Sequence, residues 1–449
     1  MSKQRIQLSD HFTYSRLLRF VLPCIGTMLF TSIYGIVDGL CVSNFVGKTA
    51  FAAVNLIMPL PMLLGTIGFM LGTGGSAIVG ITLGEGDQKK ADRYFTLFLL
   101  AALVSVSVLA VLGIVFLRPI AVLLGAKGEL LDYAVRYGRI LMVSLPTFAL
   151  QNMFQSFFVT AEKPHLGFWF TVGAGCTNMV LDVLMVGAWG WGVEGAAIAT
   201  FISQLVGGVL PVFYFIDRSN TSRLHLCKTS FYSKVLRDAC INGSSELMTN
   251  LSMSLVNILY NYQLLRLAGE NGVAAYGVIM YAAFLFVAVF VGYAVGSAPI
   301  VSFHYGARNH AEVHNLYRKS LRLIAVVAVT LTLASMFIIP CVARVFVGYD
   351  AELLALTSRA FRLYALSFLI MGFNVYASSF FTALGDGVTS ALISFLRTLA
   401  FQVIAILLLP LLLGIDGIWL AVTAAELAAL AVSAAMLLTK DKVFHYRKA

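Results

Sequence analysis

Charge is what this chain has least of. Asp, Glu, Lys and Arg make up 12% of its 449 residues, about half of the roughly 25% found in ordinary soluble domains. With 59% hydrophobic residues and a mean hydropathy of +0.88, the chain excludes a set of water-soluble domains. Six cysteines (Cys24, Cys41, Cys176, Cys227, Cys240 and Cys341) form no CxxC pair and lie mostly in apolar runs. They read as small apolar fillers, which excludes a disulfide framework and a zinc module. No GxxxxGK[ST] motif is present, so this chain supplies no direct ATP drive. No metal-ligand cluster is present either. His304, His310 and His314 are suggestively spaced, but they fall at a helix end and loop, where they are expected to meet solvent or lipid headgroups. The long apolar runs lack the period-two alternation of a barrel strand, so they must be helices, which satisfy their own backbone in lipid. The first run lacks a signal peptide's short apolar stretch and cleavage site and is expected to be retained.

What is present is repetition. GVEGAAIA at 192–199 returns as GIDGIWLA at 414–421, an offset of 222. The same offset pairs GKTAFAAV (47–54) with GENGVAAY (269–276), and GGSAIVGITLG (74–84) with GSAPIVSFHYG (296–306). It also pairs NMFQSFFVTA (152–161) with NVYASSFFTA (374–383), where five of ten residues are identical. The chain therefore reads as a tandem duplication. In membrane proteins such a duplication marks transporters that rock two bundles about a central site.

Twelve apolar runs are long enough to span, at about 20 residues each. They lie near 15–44, 51–82, 94–117, 134–160, 166–188, 194–216, 236–266, 273–304, 318–343, 355–383, 389–413 and 417–439. The expected fold is an all-α integral membrane protein of twelve transmembrane helices in two six-helix lobes. An even number of spans per repeat puts the pseudo-twofold axis along the membrane normal. The N-lobe is 12–216, the linker 217–235 and the C-lobe 236–440; the linker holds the polar run DRSNTSRLHLCKTS. With both termini in the cytoplasm, the inner segments hold 21 Lys and Arg, the outer segments hold 9, and Arg397 falls within a span. This bias predicts an inside–inside topology. It also accounts for the net charge of +10 without a nucleic-acid partner, because the charge is spread over every inner loop.

The ionisable residues within spans are Asp38, Asp182, Glu246, Arg397 and Glu426. Each costs at least about 2.5–3.5 kcal/mol unpaired at mid-membrane, so each is expected to face a cavity and carry function. Asp38 in span 1, Asp182 in span 5 and Thr200 in span 6 lie at a common depth, about 10 Å below the outer surface. Asn178 precedes Asp182 by one helical turn and shares its face. Two carboxylates meeting in low dielectric hold a proton or take a cation, which is the physical form of an ion-coupling site.

The segments YGIVDGLCVSNFVG around Asp38, GSAIVGITLGEGDQKKA after span 2 and TNMVLDVLMVGAWGWGVEGAAIAT from Thr177 to Thr200 resemble the multidrug and toxic compound extrusion (MATE) family. INGSSELMTNLSMSLVNILYN in span 7 resembles the branch with the MepA-type bacterial exporters, and the chain as a whole resembles the MepA-type and DinF-type branches. The resemblance covers about 12–440. It implies an antiporter, not an enzyme, that exports cationic or amphiphilic drugs in exchange for protons or sodium by alternating access. It places the cation site at Asp38, Asn178, Asp182 and Thr200, a hinge at Pro23, and polar N-lobe cavity residues at Tyr137, Asn152 and Gln155. It marks Glu246 as a second acid, whereas Asn374 stands near the place of a span 10 acid, which leaves a full C-lobe cation site open. Glu246 and Glu426 remain candidates either for binding a cationic drug or for pairing with Arg397. Span 8 adds Met280, Tyr281, Phe284 and Phe286 as candidate cavity walls. No cofactor or resident metal is expected beyond the coupling ion. The expected setting is a bacterial plasma membrane, with lipid as partner and a monomer as default. A flippase for a lipid-linked precursor is the alternative, disfavoured because span carboxylates outnumber the one arginine. The major facilitator superfamily also has six plus six helices, but the loop GEGDQKKADR lacks its Gly-Arg ending.

Overall fold

The computed structural model describes residues 6–46, 48–348 and 350–447, excluding the helix side chains of 36, 38–44, 48, 51, 342, 345 and 346. All regular structure among the described residues is helical. In chain order the helices are α1 (Tyr14–Phe45), α2 (Lys48–Ile57), α3 (Pro59–Gly84), α4 (Gln88–Leu123), α5 (Gly128–Thr160) and α6 (Pro164–Leu181). They continue with α7 (Gly192–Gln204), α8 (Leu210–Ile216), α9 (Ser233–Gly306), α10 (His310–Val347), α11 (Ala351–Ala365) and α12 (Phe368–Ala383). The last four are α13 (Gly387–Phe395), α14 (Phe401–Leu413), α15 (Ile415–Thr439) and the short α16 (Asp441–Phe444). Wide π-helical turns at Asp182–Ala188, Leu205–Val209 and Leu396–Ala400 continue α6, join α7 to α8, and join α13 to α14.

Nine of these helical units are, among the described residues, long and apolar enough to cross a membrane singly. The crossings nevertheless number twelve. Helix α9 has 74 residues, about 110 Å if straight, far beyond one crossing. It folds back at Gly269, whose φ of 61° and ψ of −151° suit only glycine. Helices α11 and α12 meet at 46° and make one broken crossing. Helix α5 falls short on composition because Gln151, Asn152, Gln155 and Ser156 interrupt its apolar face.

The duplication appears in local detail. Asp87 caps α4 by accepting from the Lys90 N–H at 3.0 Å, and Asn309, its counterpart in the second repeat, caps α10 by accepting from the Glu312 N–H at 3.1 Å. Gly192 and Gly414, which open the duplicated GxxG segments, both have a φ of +59°. The lobes meet where α3 packs along α9 and α1 along the second half of α9. Close to the axis the contact is backbone on backbone. A Cβ on Gly84 would sit 2.0 Å from the Phe303 carbonyl oxygen, and one on Gly306 would sit 2.1 Å from that of Ile81, the repeat counterpart of Phe303. Only glycine permits this approach.

The same end of the bundle is strapped by loops. Glu162 accepts from the Leu8 N–H at 2.9 Å and pairs with Arg223 of the linker at 2.6 Å. Arg223 in turn lies 4.8 Å over the Phe303 ring. Glu312 accepts from the Phe12 N–H at 2.9 Å and meets His11 Nδ1 at 2.6 Å. The linker lies on α4, where Asp92 Oδ1 accepts from the His225 N–H at 3.0 Å. Segment 6–13 thus touches both lobes and covers His304, which is 2% exposed and edge-on to Phe12. This corrects the expectation that His304 meets solvent: the N-terminal segment fills the space over the end of α9. His314 is likewise engaged, at 3.0 Å from the Tyr446 carbonyl.

Candidate functional site

A cavity of about 560 Å³ lies mainly within the C-lobe and reaches α3 and α5. It runs from Ser76, Ser156 and Ser245 toward Pro59 and Met62 at the far end of α3 from the Gly84–Gly306 contact. The strapped end is therefore closed, and the cavity opens toward the other.

Two carboxyl side chains and one guanidinium line it: Glu246 on α9, Glu426 on α15, and Arg397 in the π turn before α14. Glu426 is fully buried and forms an ion pair with Arg397, with Nε to Oε1 at 2.7 Å. Its other oxygen accepts from Asn374 Nδ2 at 2.7 Å, and Asn374 Oδ1 accepts from Ser433 Oγ at 2.9 Å. Glu426 thus takes the ion-pair alternative and Asn374 stands behind it as support. Glu246 is different: its carboxylate has no ion pair or hydrogen bond among the described residues, although Arg397 is within electrostatic reach. Two carboxyl groups thus face one guanidinium, and Glu426 is the one that takes it.

The walls suit a flat, lipophilic cation. Tyr260 and Tyr276 stack at 5.0 Å and 10°, and both line the cavity with Tyr364. Of the span 8 candidates, Met280 and Phe284 line it; Phe286 packs on Phe368 in the core, and Tyr281 is not among the lining residues. The three tyrosines were missed in the sequence. The available signal was that Tyr260 occupies the repeat position of Asp38, the slot an acid fills in the other half.

The remaining candidates lie in the N-lobe, apart from this cavity. Asn178 is 2% exposed and precedes the π turn that Asp182, fully buried, begins. Thr200 lies on α7, which packs on α6 and on that π turn, and its hydroxyl donates to the Ala196 carbonyl at 3.0 Å. Asp38 belongs to α1, which packs on α6, but its side chain lies outside the described residues. Tyr137 and Asn152 are buried on α5, and Gln155 borders a crevice beside Cys24 and Thr27 of α1. Pro23 is buried within α1, which continues through it; its carbonyl accepts from Thr27 Oγ1 at 2.9 Å. Asp182 and Arg397 both sit in π turns, a distortion that gathers at functional sites.

The MatE family model matches twice, at residues 23–184 and 247–408, more than half of the chain. The multidrug export protein MepA of Staphylococcus saprophyticus is 21% identical over 436 residues, covering 96% of this chain and 95% of its own. That of Staphylococcus aureus is 22% identical over 433 residues, with the same coverage. Among solved structures, a MATE protein in complex with MaL6 superposes with a TM-score of 0.92 at 23% identity over 100% of both chains. The outward-facing conformation of a multidrug resistance MATE family transporter reaches 0.91 at 23% identity, again over 100% of both. At these identities the structural likeness speaks for the fold.

Proposed function

The chain belongs to the MatE family, and from that premise we propose that it is a multidrug efflux transporter working as a secondary-active antiporter. It takes lipophilic or amphiphilic cations from the cytoplasm and releases them outside in exchange for protons or sodium ions. The observation that carries this reading is the cavity of about 560 Å³, lined by stacked tyrosines and by Glu246, whose carboxyl has no ion pair or hydrogen bond among the described residues. A desolvated cation gains from an unpaired carboxylate and from aromatic faces alike. The names of the MepA relatives support a drug as cargo.

The coupling ion is assigned to Asp38, Asn178, Asp182 and Thr200 in the N-lobe. Ion binding there favours one arrangement of the lobes over the other, and only the difference in affinity between the two states does work. The strapped end is assigned to the cytoplasm of a bacterial plasma membrane, with both termini inside. The described conformation is then the one that releases drug, and resetting requires the strap to part. Pro23 is kept as the hinge of α1. One chain is taken as the working unit.

The test is ethidium efflux from proteoliposomes under an imposed pH gradient and, separately, a sodium gradient. Wild type is expected to follow one gradient. Asp38→Asn should abolish that dependence, and Glu246→Gln should lower efflux at least tenfold. If neither gradient moves ethidium through intact wild-type protein, the antiport reading is wrong.

A further inference from the structure

We propose that Arg397 reads an anionic substituent on the cargo and so sets the preference of the cavity between amphiphilic zwitterions and simple lipophilic cations. This rests on the cavity being the substrate site, as argued above.

A guanidinium carries five N–H donors in a planar fork. The ion pair with Glu426 uses the one on Nε, at 2.7 Å. The four donors on the two terminal nitrogens have no protein acceptor among the described residues. The Arg397 side chain retains 13% exposure, and it borders the cavity. Glu426 cannot turn away to serve a ligand: Arg397 holds one oxygen and Asn374 the other, with Ser433 behind. The ion pair therefore works as a bracket that fixes the guanidinium and leaves its terminal edge to the cavity. That edge matches a carboxylate in a two-point geometry that a lysine does not offer.

A pocket for cations alone would be better without this group, because a guanidinium near Glu246 opposes a positive cargo. A cargo with a cationic end and an anionic end turns the opposition into attraction, with the cation on Glu246 and the anion on Arg397. The stacked pair Tyr260–Tyr276 supplies a flat wall for the aromatic body between them. Inheritance from the duplication does not explain the arginine, because its counterpart in the first repeat is Gly175.

A matched pair of dyes tests this. Rhodamine 123 is a methyl ester and a cation; rhodamine 110 has the same ring system with a free carboxylate and is a zwitterion at neutral pH. Binding of each to purified transporter in lipid nanodiscs is read by fluorescence anisotropy. Wild type is expected to bind both. In Arg397→Gln/Glu426→Gln, which removes both members of the pair, the preference for rhodamine 110 over rhodamine 123 should fall at least tenfold. Arg397→Lys keeps a charge beside Glu426 and removes the fork; it serves if the double variant does not fold, and its preference should fall at least threefold. The proposal is overturned if wild type binds rhodamine 123 but not rhodamine 110, or if the ratio of affinities is unchanged in the variants. Wild type binding neither dye would overturn it together with the reading of the cavity as a drug site.

Discussion

Glu426 and Glu246 are the same residue type in the same cavity, yet they take opposite roles. Glu426 has no exposure and is held by Arg397, Asn374 and, through Asn374, Ser433. Removing one member of a buried pair strands the other, which costs about 3–5 kcal/mol, whereas replacing both is far milder. Glu426→Gln alone should therefore destabilise the protein by about that much, and Arg397→Gln/Glu426→Gln by clearly less. Thermal unfolding in detergent of wild type, both single variants and the double variant gives the cycle. A double variant as unstable as the sum of its parents would show that the pair is not coupled. That these residues need a partner or a cavity was legible in the sequence, because an ionisable residue in an apolar run has no bland place in lipid. Which acid takes the arginine was not. Arg397 and Glu426 are 29 residues apart on different helices, so their meeting depends on how α14 and α15 pack. The same limit hid His304, which is buried by the N-terminal segment from the opposite lobe's end of the sequence.

At the scale of elements, length and composition carried most of the information, and the turns carried the rest. The caps Asp87 and Asn309 were readable as N-cap residue types in the polar breaks between apolar runs. The π turns at Asp182 and Arg397 were not, since no composition marks a wide turn. Helix α13 has a cap that lends itself to a pH test. Asp386 accepts from the Thr389 N–H at 3.2 Å and from its hydroxyl at 2.7 Å, and pairs with Lys440 at 2.9 Å. Partial burial pushes its carboxyl up, but the bonds from Lys440 and Thr389 outweigh it and hold the group below the usual carboxylate value. A depressed value means that the stabilisation is present above the unfolded value, near 3.9, and is lost as pH falls through the lower, folded one. Asp386→Ala should cost about 1 kcal/mol at neutral pH. The gap in melting temperature between variant and wild type should narrow below about pH 4. A gap that stays constant down to pH 3 would mean that the carboxylate's charge does not matter there.

For the whole molecule, the duplication sets the frame, and the differences between its halves support the proposed division of work. In the second repeat Asp38, Asn178, Asp182 and Thr200 are replaced by Tyr260, Ala400, Ile404 and Val422. In the first, Glu246, Arg397 and Glu426 are replaced by Cys24, Gly175 and Gln204. None of the charges within spans is shared, which fits the proposed division between an ion lobe and a cargo lobe. Two such lobes exchange work only by moving against each other, and at one end they are held together. There Glu162 of the N-lobe, Arg223 of the linker and Phe303 of the C-lobe form one chain of contacts, with Leu8 on the same carboxylate. A charged hydrogen bond of this partly buried kind contributes about 1.5–3 kcal/mol, equivalent to roughly tenfold or more in a two-state population. If the strap holds the cavity closed on that side, Glu162→Ala should raise the fraction open to it about tenfold. Ser76 on α3 borders the deep end of the cavity and is a suitable reporter once replaced by cysteine in a cysteine-free background. A membrane-impermeant maleimide added on the side of the termini should label Ser76→Cys about tenfold faster with Glu162→Ala than without. Equal labelling rates would show that the backbone contact of Gly84 and Gly306 closes that end without help from the strap.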